Sequence, residues 1–185
     1  MHYTQIPTYE PSLQAIFSGG VKLGKPDFDK LKENRDIKGL IKLLGDKDPW
    51  VREIAVKVLG NIGCGVTVAS ALAKMLKDKS PKIRSHAVYA LGRITTPSSY
   101  DDDDRIAVSA LIEALIDEDE GVRHSAAWAL QYTDSGGRRD IERLFVDSEA
   151  AKDTVPILIA ALKDKDEYVR QAAKEALEKI KTKES

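Results

Sequence analysis

The sequence predicts an all-α protein, a right-handed α-solenoid in which four helical hairpins stack in chain order. One short phrase recurs four times, starting at an aspartate and ending at an arginine: 46–52, 78–84, 117–123 and 164–170. A Leu-rich helical pattern precedes each phrase, and an Ala/Leu-rich pattern follows it. Such repetition is typical of arrays in which each unit buries its apolar side against its neighbours.

The composition suits such an array and argues against other classes. Hydrophobic residues make up 42% and aromatic residues 6% of the 185 positions, and 29 basic against 30 acidic residues give a net charge of -1. This balance offers no positive field to nucleic acid or to an anionic membrane. Cys64 is the single cysteine, so no disulfide can form within the chain. With neither a secretory signal nor an apolar run of about 20 residues, we expect a cytoplasmic protein without membrane contact.

The repeat arginines set the expected boundaries. Residues 1–26 form an N-terminal leader, 27–181 the repeat domain and 182–185 a polar tail. Alignment on the arginines places the repeats at about 36–63, 66–95, 105–134 and 154–181, separated by insertions at 96–104 and 135–153. Before the first repeat, 27–34 is expected to form a short helix that shields apolar surface with Phe28 and Leu31.

The two insertions carry separate expectations. Apolar residues at helical spacing, Ile141, Leu144 and Phe145, predict an extra helix from about 138 to 149. The acidic run 101–104 lacks the alternating ligands of a calcium loop. We expect a solvated loop there, whose last carboxylates favour the start of the next helix.

Both helices of each hairpin show a repeated apolar stripe. In the first helix, leucines four residues apart are predicted to face the core: Leu40 with Leu44, Leu72 with Leu76, Leu111 with Leu115, and Leu158 with Leu162. In the second helix, counted from the repeat arginine as zero, position +3 is always alanine and position +7 always leucine. A small residue beside a large one allows two helices to pack closely.

The turn residues predict helix caps and a link between repeats. An oxygen-bearing side chain stands before each second helix, where it can accept from the first free N–H groups: Asp48, Ser80, Asp119 and Asp166. The turn aspartates and the repeat arginines are expected to form a ladder across the junctions, because the guanidinium fork can bond a carboxylate or turn carbonyls.

Positions opposite the core stripe of the second helices provide the candidate binding residues. These are Trp50, Tyr89, Arg93, His124, Trp128 and Tyr132, which should line the concave face. Aromatic residues and arginine on rigid helices resemble the anchors of protein interfaces. An alternative stays open, in which Trp128 and Tyr132 pack against the 134–153 segment folding over them.

With the Leu-rich helix, the phrase 46–52 and the residues Ala55, Leu59, Gly60 and Ile62, the chain resembles the HEAT-like repeat of the phycobilin-lyase type. The resemblance covers roughly 36–181. It implies an interaction scaffold, although some proteins of this kind attach bilin chromophores, hydroxylate a protein lysine derivative or bind DNA.

The hydroxylase branch of this resemblance, deoxyhypusine hydroxylase, implies two irons held by His-Glu pairs just after the repeat arginine. The matching pairs here are Glu53-Ile54, Ser85-His86, His124-Ser125 and Gln171-Ala172. Since no His-Glu pair occurs in the sequence, we expect no metal site and no catalytic residues.

The sequence therefore predicts a non-catalytic scaffold that binds a protein partner on its concave face, with no cofactor. Two alternatives are kept. One is a relative of bilin lyases or isomerases, for which a bound small molecule stays open. The other is a nucleic-acid-binding protein, which Lys57, Arg93 and Lys179 support only weakly beside Glu53 and Glu175.

Overall fold

The computed structural model describes residues 26–62, 65–94, 102–131 and 149–181, and every regular element in these ranges is helical. A short helix α1, Phe28–Glu33, comes first. The first helices of the four hairpins are α2 Ile37–Leu43, α4 Val66–Lys74, α6 Asp102–Glu113 and α8 Glu149–Ala161. The second helices are α3 Pro49–Ile62, α5 Pro81–Ile94, α7 Glu120–Gln131 and α9 Glu167–Lys181. One 3₁₀ turn extends α4 over Met75–Lys77 and another extends α6 over Ala114–Ile116.

The hairpins stack in sequential order and form two layers. The second helices pack as α3 on α5, α5 on α7 and α7 on α9, and this row is the second-helix layer. The first helices form the other row, the first-helix layer, with α4 on α6 and α6 on α8. The predicted all-α solenoid is therefore confirmed. In the part of the chain that the structure describes, no helix is both long and apolar enough to cross a membrane.

The predicted core stripes are buried with two exceptions, Leu76, which is half-buried, and Leu162. All four alanines at +3 are fully buried, as are the leading leucines of the first helices, Leu40, Leu72, Leu111 and Leu158. The prediction was wrong for Leu162, which is 38% exposed. This leucine lies on the side of α8 that a following hairpin would cover, and none of the described residues takes that place.

The N-terminal helix α1 closes the other end of the stack. Asp27 caps it by accepting a hydrogen bond from the backbone N–H of Lys30 at 3.0 Å. Phe28 is buried and meets the ring of Trp50 edge to face, with ring centroids 5.9 Å apart. The expected shielding of the first hairpin by Phe28 is confirmed.

The chain also differs from the predictions at the two insertions. Helix α6 begins at Asp102, so it takes in residues assigned to the 96–104 insertion, and Asp104 is buried rather than solvated. Helix α8 begins at Glu149, within the 135–153 insertion. The leader 1–25, the predicted helix at 138–148 and the tail 182–185 lie outside the described residues.

Neighbouring second helices approach closely at small residues whose packing role the sequence analysis did not predict. A Cβ atom placed on Gly60 would lie 2.6 Å from the Cβ of Ala90 and 3.0 Å from its Cα. At the next junction, a Cβ on Gly92 would lie 3.3 Å from the Cβ of Ala129. The spacing between α3 and α5 thus depends on the missing side chain at position 60.

Gly60→Ala should therefore lower the free energy of unfolding by about 1–2 kcal/mol, because the two backbones must separate. The matched variant Gly92→Ala should stay within about 0.5 kcal/mol of the wild type, since its gain in helix propensity offsets milder crowding. Urea unfolding measures both. Equal effects of the two substitutions would contradict this account of the α3–α5 contact.

The turns repeat one hydrogen-bond pattern. In each hairpin, the first turn aspartate accepts from the backbone N–H two residues later at 2.8 or 2.9 Å. Asp48, Asp119 and Asp166 then cap the second helix, each accepting from a backbone N–H two or three residues further on. For these three aspartates the predicted caps are confirmed.

The predicted ladder joins each hairpin to the next. Arg52 donates from Nε and Nη2 to the carboxylate of Asp78 at 2.7 and 3.1 Å, and Arg84 bonds Asp117 in the same way at 2.8 Å twice. At the third junction, Nε of Arg123 lies 2.6 Å from Asp164 Oδ2. In every hairpin, Nη1 of the arginine also donates to the carbonyl of its own turn aspartate. Each guanidinium at a junction therefore fixes both its own turn and the next one.

Arg84→Ala should lower the free energy of unfolding by about 2–4 kcal/mol, because it removes a buried guanidinium and leaves the Asp117 carboxylate, whose side chain is only 11% exposed, without its counter-charge. Arg170 provides the matched control. Among the described residues, Arg170 bonds only the carbonyls of its own turn. Arg170→Ala should therefore lower the free energy of unfolding by only about 1 kcal/mol. Chemical unfolding of both variants tests the ladder, which an equal loss in the two would contradict.

Candidate functional site on the second-helix layer

Four of the predicted site residues that the structure describes stand at positions +1, +5 and +9 of the second helices: His124, Tyr89, Trp128 and Arg93. We call the surface formed by these positions the second-helix face. Trp50 stands at position −2 of α3, at the edge of this face. Among the candidate aromatic residues that the structure describes, Tyr89 is the most exposed, with 50% of its surface open. The exposed Arg93 lies one turn further along α5, with its guanidinium carbon 5.7 Å from the centre of the Tyr89 ring. Its Nη1 donates to the Tyr89 hydroxyl at 3.3 Å. The two side chains thus form one preorganised cationic and aromatic unit.

Trp50 is less accessible to a binding partner than the sequence analysis predicted. It is half-buried and packs against the core and the ring of Phe28. This contact depends on α1, which lies outside the repeats, so the repeat pattern alone could not reveal it. The geometry gives Trp50 a packing role at the N-terminal end of the stack.

His124 connects the third and fourth hairpins. Its imidazole Nδ1 lies 2.7 Å from Oδ2 of Asp166, the residue that caps α9. Its ring meets Tyr168 edge to face with the centroids 5.0 Å apart. Burial alone would raise the pKa of Asp166, but the hydrogen bonds from His124 and the Tyr168 backbone N–H outweigh it and lower that pKa. The His124 side chain is still about half exposed at 48%, so one edge remains open to a partner.

Trp128 lies at position +5 of α7, the position that Tyr89 holds on the adjacent helix α5. It is half-buried, a state between the exposed anchor and the fully packed side chain that the two interpretations of the sequence require. Tyr132 lies outside the described residues. The choice between an anchor and a packing role for these two residues is therefore still a prediction.

A buried carboxylate between the first two hairpins was not predicted as part of the site. Glu53, at +1 of α3, accepts from the Lys57 ammonium at 2.6 Å and lies 3.0 Å from that of Lys82. The Nδ1 atom of His86 is 3.8 Å from the same carboxylate. The four-residue spacing of Glu53 and Lys57 could have predicted their ion pair within α3. Lys82 and His86 on α5 join the cluster only when the two hairpins stack, so the sequence did not reveal them.

The charges of this cluster shift two pKa values. Burial alone would raise the pKa of Glu53, but hydrogen bonds from the two lysines outweigh burial and lower it. Burial, helped by the positive charge of Lys57, lowers the pKa of His86 from 6.5 to about 4. His86 is therefore neutral at pH 7, and its buried Nδ1 has no hydrogen-bond partner among the described residues. At neutral pH the positive charge of the cluster comes from the two lysines.

His86 should make the fold sensitive to mild acid. Because its folded-state pKa lies below that of the unfolded chain, the unfolded state binds more protons between pH 6.5 and about 4. Its stabilising contribution is complete above pH 6.5 and declines as the pH falls through that window. His86→Gln should remove about 1–2 kcal/mol of this decline, allowing for the partial exposure of the imidazole. Urea midpoints measured from pH 7.5 to pH 4 test this, and identical slopes for variant and wild type would contradict it.

Within the described ranges, no group of three or more His, Cys, Asp or Glu side chains is arranged to hold a metal ion. The polar groups of the second-helix face are instead paired across junctions, as in Glu53 with Lys82 and His124 with Asp166. This arrangement suits recognition by charge and shape.

These features define a class, the helical-repeat solenoid whose unit is a two-helix hairpin. A family model described as HEAT repeats matches residues 37–131, and a HEAT repeat model matches residues 154–182. Since the first match alone spans just over half of the chain, the chain belongs to the HEAT-repeat family. No curated protein matches the chain.

Solved structures support the same fold. An engineered protein is 24% identical, with a TM-score of 0.56, over 83% of this chain and 65% of its own. A designed armadillo repeat protein in complex with the peptide (KR)4 is 26% identical, with a TM-score of 0.56, over 82% and 66%. Human deoxyhypusine hydroxylase is 28% identical, with a TM-score of 0.51, over 78% and 43%. The chain thus spans about two thirds of the first two proteins and less than half of the third.

Proposed function

We propose that the chain is a non-catalytic scaffold that binds a protein or peptide partner on its second-helix face. The observation that carries the proposal is the pair of Tyr89 and Arg93. An exposed tyrosine with an arginine held over its ring combines two residue types that dominate the energetics of protein interfaces. Both stand on α5, a helix fixed on each side by a neighbour, so little conformational entropy is lost when a partner binds.

The proposed contact surface continues along the layer. Trp128 stands on α7 at the position matching Tyr89, and His124 adds a half-exposed imidazole one turn away from it. We include Tyr132 in the proposed surface because of its position in the sequence. Trp50 contributes only the part of its ring that the contact with Phe28 leaves exposed. A partner would therefore contact the middle hairpins first.

The charges of α3 and α5 bear on the chemistry of the partner. Arg93 is exposed, and the Lys82 side chain is 68% exposed, whereas Glu53 is buried beneath its lysines. The designed armadillo protein is in complex with the basic peptide (KR)4. Here a peptide of that charge would meet like charge across the first two hairpins, so a neutral or acidic segment fits better.

The test is a double variant, Tyr89→Ala with Arg93→Ala, assayed against a partner captured from the native host and then purified. Loss of the aromatic and cationic contacts should weaken binding by about 2 kcal/mol or more, some thirtyfold in Kd. Titration of the purified partner measures the change, and thermal melting monitored by circular dichroism should match the wild type within a few degrees.

Ile116→Ala is the matched control, because Ile116 is 51% exposed but belongs to the first-helix layer. It should leave the affinity unchanged. If the double variant binds as tightly as the wild type, the second-helix face is not the contact surface and the proposal fails.

The alternatives rank below this proposal. The phycobilin-lyase type of HEAT-like repeat would add bilin attachment, but no nucleophile or base for that reaction is identifiable in the sequence. Hydroxylase activity lacks its His-Glu pairs. Nucleic-acid binding would need more free cations than remain once Glu53 has paired with Lys57 and Lys82. A cytoplasmic location remains part of the proposal.

A further inference from the structure

The first-helix layer ends in an apolar stripe on α8. Val155, Ile159 and Leu162 follow each other at four-residue and three-residue spacing, so they share one side of the helix. Ile159 is 49% exposed and Leu162 is 38% exposed. The same three positions of the third hairpin carry the same residue types, and there all are fully buried: Val108, Ile112 and Leu115.

The burial of this stripe in the third hairpin has an identified cause. Helix α8 packs along α6 and its 3₁₀ turn, the two elements that carry these buried residues. We attribute their burial to this neighbour. The stripe on α8 therefore reproduces, side chain for side chain, a surface that already binds a helix within this molecule. Nothing among the described residues covers the second copy of this surface.

Arg170 extends the match from apolar contacts to charge. At the three inner junctions, the Nε side of the repeat arginine meets the turn aspartate that follows the next first helix. Arg170 donates only from Nη1, to the carbonyls of Asp164 and Lys165. In the described part of the chain, no carboxylate meets its other edge. The Nε edge of Arg170 can therefore bind one further carboxylate at this end of the stack.

The second-helix layer ends differently. Position +4 is fully buried in the first three hairpins, as Val56, Val88 and Ala127, but in α9 it is the exposed Lys174. Position +8 is buried as Gly60, Gly92 and Gln131, but in α9 it is the exposed Glu178. Burying this face would desolvate charged groups. One added helix can therefore pack on the apolar side of α8, whereas a complete added hairpin would also have to bury the charged residues of α9.

We propose that Val155, Ile159, Leu162 and Arg170 form a docking site for a single amphipathic helix of a partner protein, with a carboxylate in the turn just after that helix. The site lies at the end of the stack in the first-helix layer, so it is independent of the second-helix face. A second copy of this chain is the poorer occupant, because each described first helix is already held within its own hairpin and stack.

A peptide of residues 149–166 of this chain is the probe, since these residues form α8 and its turn and supply the Asp164 carboxylate to Arg123. Added to the full-length chain, the labelled peptide should bind saturably, as measured by fluorescence anisotropy. The peptide with Asp164→Asn should bind about fivefold or more weakly, because it loses a charge-assisted hydrogen bond. With an Arg170→Gln chain, the two peptides should bind equally.

Ile159→Lys in the full-length chain should weaken binding of the peptide about tenfold or more by placing a charge in the apolar stripe. Ile116→Lys changes an equally exposed isoleucine elsewhere and should leave binding unchanged. Circular dichroism melting checks that each variant folds. If Ile159→Lys does not fold, Leu162→Lys replaces it in the same binding assay.

Three results would overturn the proposal. One is the absence of binding at peptide concentrations up to about 1 mM. Another is binding that Ile159→Lys does not weaken, since the peptide would then be replacing α8 in its own place against Ile112. The third is a dimer in sedimentation experiments that Ile159→Lys dissociates, which would assign the stripe to a second copy of the chain.

Discussion

The aspartate–arginine ladder is the interaction on which the rest of the structure depends. A helical hairpin can slide or rotate on its neighbour without losing much apolar contact, because dispersion and hydrophobic forces are weakly directional. The guanidinium fork removes that freedom, since its two edges bond two turns at fixed angles. Burial alone would raise the pKa of Asp78, yet the hydrogen bonds from Arg52 and the Ser80 backbone N–H, together with the positive charge of Arg52, outweigh burial and lower that pKa. The register of the hairpins is therefore set by charge, while the apolar core supplies most of the stability.

That register determines what the surface can present. With the turns locked, Gly60 and Ala90 bring the backbones of α3 and α5 close together, and the second helices pack in sequential order in one layer. The proposed contact residues thus stand on a nearly rigid layer, although no two of the helices that carry them are adjacent in the sequence. Glu53, Lys82 and His86 gather for the same reason.

The sequence predicted features that repeat and missed features that arise at ends or between hairpins. The alanine at +3, the leucine at +7 and the turn aspartates recur in register, so a single chain is enough to read their roles. Leu162 was misjudged because its position is buried only when a further helix covers it. Trp50 was placed on the open face because its contact, Phe28, stands outside the repeat pattern. Ordinary patterning also gave no sign that Asp104 would be buried, since charged residues rarely are.

Each rung of the ladder joins only adjacent hairpins, and this has a mechanical consequence. Pulled from its two termini, such a stack carries the full tension through every junction in series, so the junction with the fewest bonds yields first. At the third junction, the contact of Arg123 with Asp164 is joined by that of His124 with Asp166 and by the ion pair of Lys165 with Glu120, so several side chains hold the fourth hairpin. Under load a hairpin would detach as a unit once the contacts of its junction break, and the molecule would lengthen in discrete steps while the remaining hairpins kept their shape.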